Sequence, residues 1–100
     1  MALYDELLAI EDSPVVALNR AVAVAMASGP ATALPLLDDL ASDPALARSH
    51  RIWAVRADLH RRLGHTLAAL DDYQRALELV RNDVERRYLT DARARLAADS

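Results

Sequence analysis

The side chains most able to do chemistry in this sequence are three histidines and two pairs of adjacent carboxylates. His50, His60 and His65 are separated by ten and five residues, spacings that do not place all three on one helical face. We therefore interpret them as structural, with a metal site as the less favoured alternative. The pairs Asp38-Asp39 and Asp71-Asp72 point to different helix faces, unlike a catalytic dyad, and are interpreted as surface charge.

The usual signatures of a catalytic centre are absent from the sequence. The chain has no Cys, which excludes disulfides, thiolate metal ligands and thiol nucleophiles. No Ser lies in a nucleophile elbow, and the sequence contains neither a glycine-rich phosphate loop nor a zinc motif. We predict that the protein is not an enzyme and needs no cofactor.

Charge is distributed unevenly along the 100 residues, whose net charge is -3 at pH 7. Residues 1–45 contain seven acids and one base, whereas residues 46–100 contain eight acids and eleven arginines. The net negative charge argues against general binding to nucleic acid, although direct DNA contact by the arginine-rich last helix remains an alternative. The arginines that could form a basic patch, or simply a solvated face, are Arg61, Arg62, Arg86, Arg87, Arg93 and Arg95.

The elements that must carry these side chains are helices. Gly is only 2 and Pro 4, and 53% of the residues are hydrophobic, with Ala and Leu dominant. This composition predicts an all-α fold in a single domain over residues 1–100. The longest strongly apolar stretch, 21–27, is far shorter than a membrane span, and the N-terminus lacks a signal-peptide pattern. We expect a cytoplasmic protein with no membrane partner.

Caps and breakers predict six antiparallel helices. Apolar residues at helical spacing over residues 3–8 predict a short first helix, which begins so abruptly that we suspect a fragment of a longer protein. Ser13-Pro14 predicts the start of the second helix, and Ser28-Gly29-Pro30 predicts its end. The third helix is predicted over about 31–41, with Pro35 in its first turn or at a kink.

The last three helices are predicted from position 42 onward. Ser42-Asp43-Pro44 predicts the start of a fourth helix, which reaches Leu63 and packs with two different faces on two neighbours. Thr66 is predicted to cap the fifth helix, whose apolar stripe runs to position 80. Asn82 and Asp83 mark the next turn. The inward stripe predicted for the sixth helix consists of Val84, Tyr88, Ala92 and Leu96.

From His50 onward the sequence resembles the tetratricopeptide repeat, in which two antiparallel helices approach closely through small residues and turn at a glycine. The matching residues are Trp53, Ala57, Gly64, Ala69, Tyr73 and Ala76. Arg56 and Arg81 depart from the pattern, because the family usually has a large apolar residue at the first position and a proline at the second. The resemblance implies a right-handed, tetratricopeptide-like array of helix hairpins.

Nearly the whole chain is also similar to the C-terminal extension of a group of extracytoplasmic-function RNA polymerase sigma factors. The most specific part is the run from Ser13 to Ala25, together with Leu3-Tyr4-Asp5 and Gly29-Pro30. The conserved sigma regions that bind core polymerase and promoter DNA are absent here. The resemblance implies a bacterial regulatory domain that contacts those sigma regions or a regulatory protein, and reaches RNA polymerase and DNA only indirectly. The alternative is a free-standing adaptor that binds peptides.

The inner surface of such an array is lined by the first helix of each hairpin. Asn19 and Arg20 could hold a partner's backbone and carboxylate, or could instead tie neighbouring helices together. The other inner positions form a partner-binding groove or a solvated face of mixed charge. They are Ala23, Arg51, Ala54, Asp58 and Arg61.

Overall fold

The computed structural model of the protein describes residues 14–99, which form five α-helices and one short 3₁₀ helix. The elements are α1 (Pro14–Ser28), α2 (Pro30–Ala41), the 3₁₀ helix (Leu46–Arg48), α3 (His50–Arg62), α4 (Thr66–Leu79) and α5 (Asp83–Asp99). No strand occurs within 14–99, so the predicted all-α class is confirmed for that range. The helix predicted over residues 3–8 lies outside it. None of the five helices is long and apolar enough to cross a membrane.

Helix α3 lies at the centre, as its two apolar faces predict, and each helix packs mainly on its neighbours along the chain. Ile52 and Leu59 on one side of α3 join a first core with α1 and α2. Trp53 and Ala57 on the other side join a second core with α4 and α5. The remaining buried residues are Leu18, Ala21, Ala25, Ala33 and Leu37 in the first core, and Ala69, Tyr73, Ala76, Val80 and Leu89 in the second.

Glycines make both tight turns between paired helices, as predicted. Gly29 is the only residue between α1 and α2, and its φ of 95° lies where L-residues are strained. Gly64 follows α3 with a φ of 81°. Its N–H donates to the carbonyl of Arg61, and the N–H of His65 donates to that of His60, which is a Schellman motif.

The predicted start of a helix at Ser42-Asp43-Pro44 is wrong. Asp43 Oδ1 accepts a hydrogen bond from the N–H of Ala45 at 2.9 Å, which stabilises a local turn instead. Ser49 then has extended backbone, with φ -83° and ψ 120°, so α3 begins at His50. The indole N–H of Trp53 donates to the carbonyl of Ala47 at 2.7 Å and fastens this connection to α3.

Three further boundary or face predictions need correction. Pro35 lies inside α2, beyond the first turn, so the first of its two predicted placements is wrong. His65, and not Thr66, occupies the N-cap of α4, where no side-chain hydrogen bond is made. In α5, Val84 and Tyr88 are 78% and 66% exposed, whereas the buried residue is Leu89. The inward face of α5 therefore includes Leu89 and excludes Val84 and Tyr88, whereas Ala92 and Leu96 pack against the second core as predicted.

Candidate functional site

An open groove follows α3, with α1 on one side and α5 on the other. It consists of adjoining hollows that share lining residues from one to the next. We call its three parts the basic end, near the start of α3, the apolar centre, and the mixed end, near the end of α3. Because the side walls come from helices that do not follow each other in the chain, the groove depends on the packing of the whole stack.

The apolar centre comprises two hollows of about 320 and 390 Å³. Val22 of α1, Ala54 and Val55 of α3, and Tyr88 of α5 line both of them. Met26, which lines the second, is 81% exposed, and Tyr88 is 66% exposed. Large apolar side chains left open to water on facing walls are typical of an interaction surface.

The basic end is a hollow of about 470 Å³ with three arginines and one acid among its described lining residues. Arg51 Nη2 lies 3.6 Å from Glu85 Oε1, and the other oxygen of that carboxylate contacts His50 Nε2. Arg48 and Arg81 are exposed and have no ion-pair partner among residues 14–99. Two guanidinium groups at this end are therefore available to an incoming anionic group.

The mixed end is also about 470 Å³ but carries both signs of charge. Asp58 accepts a hydrogen bond from Arg61 Nη2 at 2.5 Å, and its other carboxylate oxygen lies 2.9 Å from Arg62 Nε in an ion pair. Asp91 and Asp99 line the same hollow from α5. An anionic ligand would therefore meet three carboxylates here, and would be disfavoured relative to the basic end.

Most of the residues predicted for a partner site lie in this groove. Asn19 and Arg51 line the first hollow of the apolar centre, Ala54 lies between α1 and α5, and Asp58 and Arg61 line the mixed end. The sequence prediction drew these candidates from α1 and α3. The prediction included no groove residue from α5, because it assigned Val84 and Tyr88 to the core. Both side chains are exposed, so that assignment is wrong.

Two predicted site residues lie elsewhere on α1. Arg20 and Ala23 are exposed and line none of the four hollows described above. Neither Asn19 nor Arg20 has a side-chain hydrogen bond or ion pair within residues 14–99. Among the described residues these two side chains therefore do not link neighbouring helices, which was the alternative to partner binding. The amide of Asn19 is exposed at the groove's edge, where it can donate to or accept from a partner.

A second polar cluster lies between α2, α3 and α4, outside the hollows of the groove. Arg56 Nε is 3.0 Å from Asp38 Oδ1 and 3.6 Å from Asp72 Oδ2, and its guanidinium lies 5.7 Å from the centre of the Trp53 ring. Asp72 is only 3% exposed, so its assignment to surface charge is wrong. It lies on the face of α4 that packs on α3, where the guanidinium of Arg56 supplies a counter-charge.

The environment of this cluster disfavours charge on both His60 and Asp72. Burial raises the pKa of Asp72 to about 6, although Arg56 and Arg75 oppose the shift. Burial, together with Arg56 and His65, lowers the pKa of His60. His60 Nε2 and Asp72 Oδ2 are 3.9 Å apart, but because both shifts oppose ionisation this contact is not an ion pair of two stably charged groups at neutral pH.

The other contact of His60 is with His65 in the turn after α3. Their Nδ1 atoms are 3.0 Å apart, which requires one ring to donate Nδ1–H while the other accepts. His50 lies away from them, against Glu85. Among residues 14–99, no group of three or more His, Cys, Asp or Glu side chains could hold a metal ion.

Comparison with known proteins finds a similarity to an uncharacterised protein. No family profile matches the chain, and no solved structure is found to be similar to it. An uncharacterised protein of Rhizobium meliloti (strain 1021) is 35% identical to it over 97 residues. These residues are 97% of this chain but 22% of that protein, so the chain spans about a fifth of its relative's length. Because the relative is uncharacterised, the similarity assigns no activity or partner.

Proposed function

We propose that this chain is a tetratricopeptide-like interaction domain, the C-terminal regulatory part of an extracytoplasmic-function sigma factor. It acts in the bacterial cytoplasm at transcription initiation, binding a protein and catalysing no reaction. The observation that carries the proposal is the open groove along α3, with an apolar centre between charged ends. A groove of this kind holds a partner segment by burial of apolar side chains and orients it by charge.

The packing of α3 on α4 supports a tetratricopeptide-like arrangement. Ala57, Ala69 and Ala76 are fully buried, which allows the two helices to approach closely. Trp53 and Tyr73 fill the second core beside them, and Gly64 makes the turn. This close packing of small, aromatic and glycine residues supports the proposed arrangement.

The favoured partners are the conserved sigma regions of the parent chain, with a separate regulatory protein as the alternative. RNA polymerase and promoter DNA would be reached only through those sigma regions. Direct DNA contact is less favoured, because several of the arginines proposed for it already have intramolecular partners. Arg61 and Arg62 pair with Asp58, and Arg86 donates to the carbonyl of Val80 at 2.8 Å.

A free-standing, peptide-binding adaptor is the second candidate. The exposed side chains of Met26 and Tyr88 in the apolar centre favour it, since they would suit a peptide without any sigma region. The two candidates differ in their partner and not in the surface used.

Light scattering after gel filtration tests the proposal. This chain is mixed with a separately made fragment that carries the sigma regions of its presumed parent, at low and at physiological salt. We expect a stable complex that Ala54→Arg abolishes by filling the groove and Asn19→Ala weakens. Gln74→Arg adds the same side chain on an exposed position of α4 outside the described hollows, and should leave the complex intact.

Two results would count against parts of this proposal. If both proteins elute separately at both salts, a sigma partner in trans is excluded and the adaptor becomes the favoured function. If a complex forms but Ala54→Arg and Gln74→Arg have equal effects, the groove is not the binding surface.

A further inference from the structure

The groove has a direction, which is set by the difference between its ends. The basic end is lined by three arginines and one carboxylate, that of Glu85. The mixed end is lined by three carboxylates and two arginines, which are Asp58, Asp91, Asp99, Arg61 and Arg95. Between them, the first hollow of the apolar centre has Asn19 and His50 among its polar lining groups. A bound segment with one charged end would therefore have one favoured orientation.

We propose that the groove binds an acidic protein segment whose carboxylates sit at the basic end and whose apolar side chains fill the centre. This inference rests on the proposed function and adds the chemistry of the partner. Arg48 and Arg81 carry it, because both are exposed and lack an ion-pair partner among the described residues. Arg51 adds a third guanidinium, shared with Glu85 at 3.6 Å.

The remainder of the groove favours protein over nucleic acid as the occupant. A phosphate backbone carries charge along its whole length and would gain little from the apolar surface at the centre. It would then approach the carboxylates of the mixed end. An acidic cluster followed by apolar residues matches the order of surfaces along α3.

Apolar contacts supply the rest of the binding energy in this proposal. Tyr88 lines both central hollows and the mixed end, and an exposed tyrosine has a large contact area with few rotatable bonds. Met26 is on the facing wall and is unbranched and adaptable. A partner helix or strand that placed leucine-sized side chains between them would bury both.

The test uses the full chain and three labelled probes, with binding followed by fluorescence anisotropy. The first probe is a peptide with a run of glutamates followed by alternating leucine and serine. The second has glutamine in place of every glutamate, and the third is single-stranded oligothymidylate. Low and high salt are compared, because contacts between exposed charges are screened by salt.

We expect the glutamate probe to bind about tenfold more tightly than the glutamine probe at low salt, with the preference shrinking at high salt. Arg48→Gln and Arg81→Gln should each reduce the preference by about threefold without changing affinity for the glutamine probe. Arg87→Gln is the matched control, since Arg87 is exposed on α5 and lines none of the described hollows. The Arg87→Gln variant should prefer the glutamate probe over the glutamine probe as strongly as the unmodified chain does.

The inference is overturned if the two peptides bind equally, if neither binds, or if oligothymidylate binds more tightly than both. It is also overturned if Arg87→Gln reduces the preference as much as Arg81→Gln, because the effect would then be one of net charge. Tyr88→Ala, at an exposed position where folding is not at risk, is expected to weaken both peptides. If it disrupts the complex with the sigma fragment while Arg48→Gln and Arg81→Gln do not, the proposed function stands and the acidic occupant is wrong.

Discussion

The carboxyl group of Asp72 is held where its ionised form is disfavoured. It is buried between α3 and α4, and the nearby Arg56 only partly offsets the loss of solvation, which leaves its pKa at about 6. His60 on the adjoining helix has its pKa shifted downward by the same burial. The cluster therefore stabilises the fold less than its count of opposite charges suggests, because each contact is made at the cost of desolvation.

Asp72 makes a pH-dependent contribution whose sign follows from this shift. Its pKa rises from an ordinary value of 3.8 to about 6 in the folded chain, so the folded state binds the proton more tightly. The stability from this group is full below about pH 3.8 and is lost as pH rises through about 6. His60, whose pKa is lowered, has the opposite pH dependence. Its contribution to the stability of the fold is present above its unfolded pKa and is lost as the pH falls through its lowered pKa in the folded chain.

Asp72→Asn is expected to raise the free energy of unfolding by about 1 kcal/mol at pH 7 to 8, since the amide resembles the protonated acid. The gain should disappear between pH 6 and 4, where Asp72 itself becomes protonated. Urea denaturation at a series of pH values measures the difference between variant and parent. Because His60 is present in both proteins, its contribution largely cancels.

Asp71→Asn is the control for that experiment, because Asp71 is the exposed neighbour on the same helix. It should change stability little at any of these pH values. A loss of stability in Asp72→Asn at pH 7 would mean that the pairing with Arg56 outweighs the cost of burying the carboxylate.

The turn between α3 and α4 gives a test of backbone conformation alone. Gly64 has positive φ, and a Cβ built on it would meet no atom within 4 Å, so any cost of a side chain there comes from the backbone. Gly64→Ala should therefore lower the free energy of unfolding by about 1 kcal/mol, and Gly64→Asn by clearly less, because Asn tolerates left-handed backbone better. Thermal unfolding of both variants measures this. Equal losses would show that conformational strain is not the cause.

Local signals predicted the helix boundaries where one residue dominates the backbone. Gly29 and Gly64 ended their helices because positive φ there is open to few other residues. Ser42-Asp43-Pro44 misled, since the same three residues suit a turn as well as a cap, and the hydrogen bond from Ala45 to Asp43 selects the turn. The same connection is also held by the hydrogen bond from the Trp53 indole N–H to the carbonyl of Ala47, a contact that no local cap pattern contains.

Half of the groove could be predicted in the same way. The inner positions predicted for α1 and α3 include Asn19, Ala54 and Asp58, which line the groove, and Ala23, which lines none of its hollows. The wall from α5 could not be predicted, because Tyr88 and Leu89 are both suitable for a core and differ by about 100° around the helix. Asp72 was missed for a related reason, since its partner Arg56 is on another helix.

The stack as a whole has two cores that share α3 and are joined by little else. Ala41 of α2 packs against both of them, but α5 packs chiefly on α4 and belongs only to the second core. A stack in which each helix contacts mainly its neighbours should open from its ends, because a terminal helix can detach without breaking the remaining contacts.

Two matched substitutions test this order of opening. Leu89 of α5 and Leu37 of α2 are both almost completely buried, and replacing either by Ala should cost about 2–5 kcal/mol. Leu89→Ala should increase amide hydrogen exchange in α5 far more than in α1 and α2, because detachment of α5 leaves the first core intact. Leu37→Ala should instead accelerate exchange in α1, α2 and α3 together, since Leu37 packs in the core that these helices share. If both variants accelerate exchange equally in all five helices, the stack unfolds as one unit and the predicted order of opening is wrong. In that case the groove wall from α5 would be as stable as the core against which it packs.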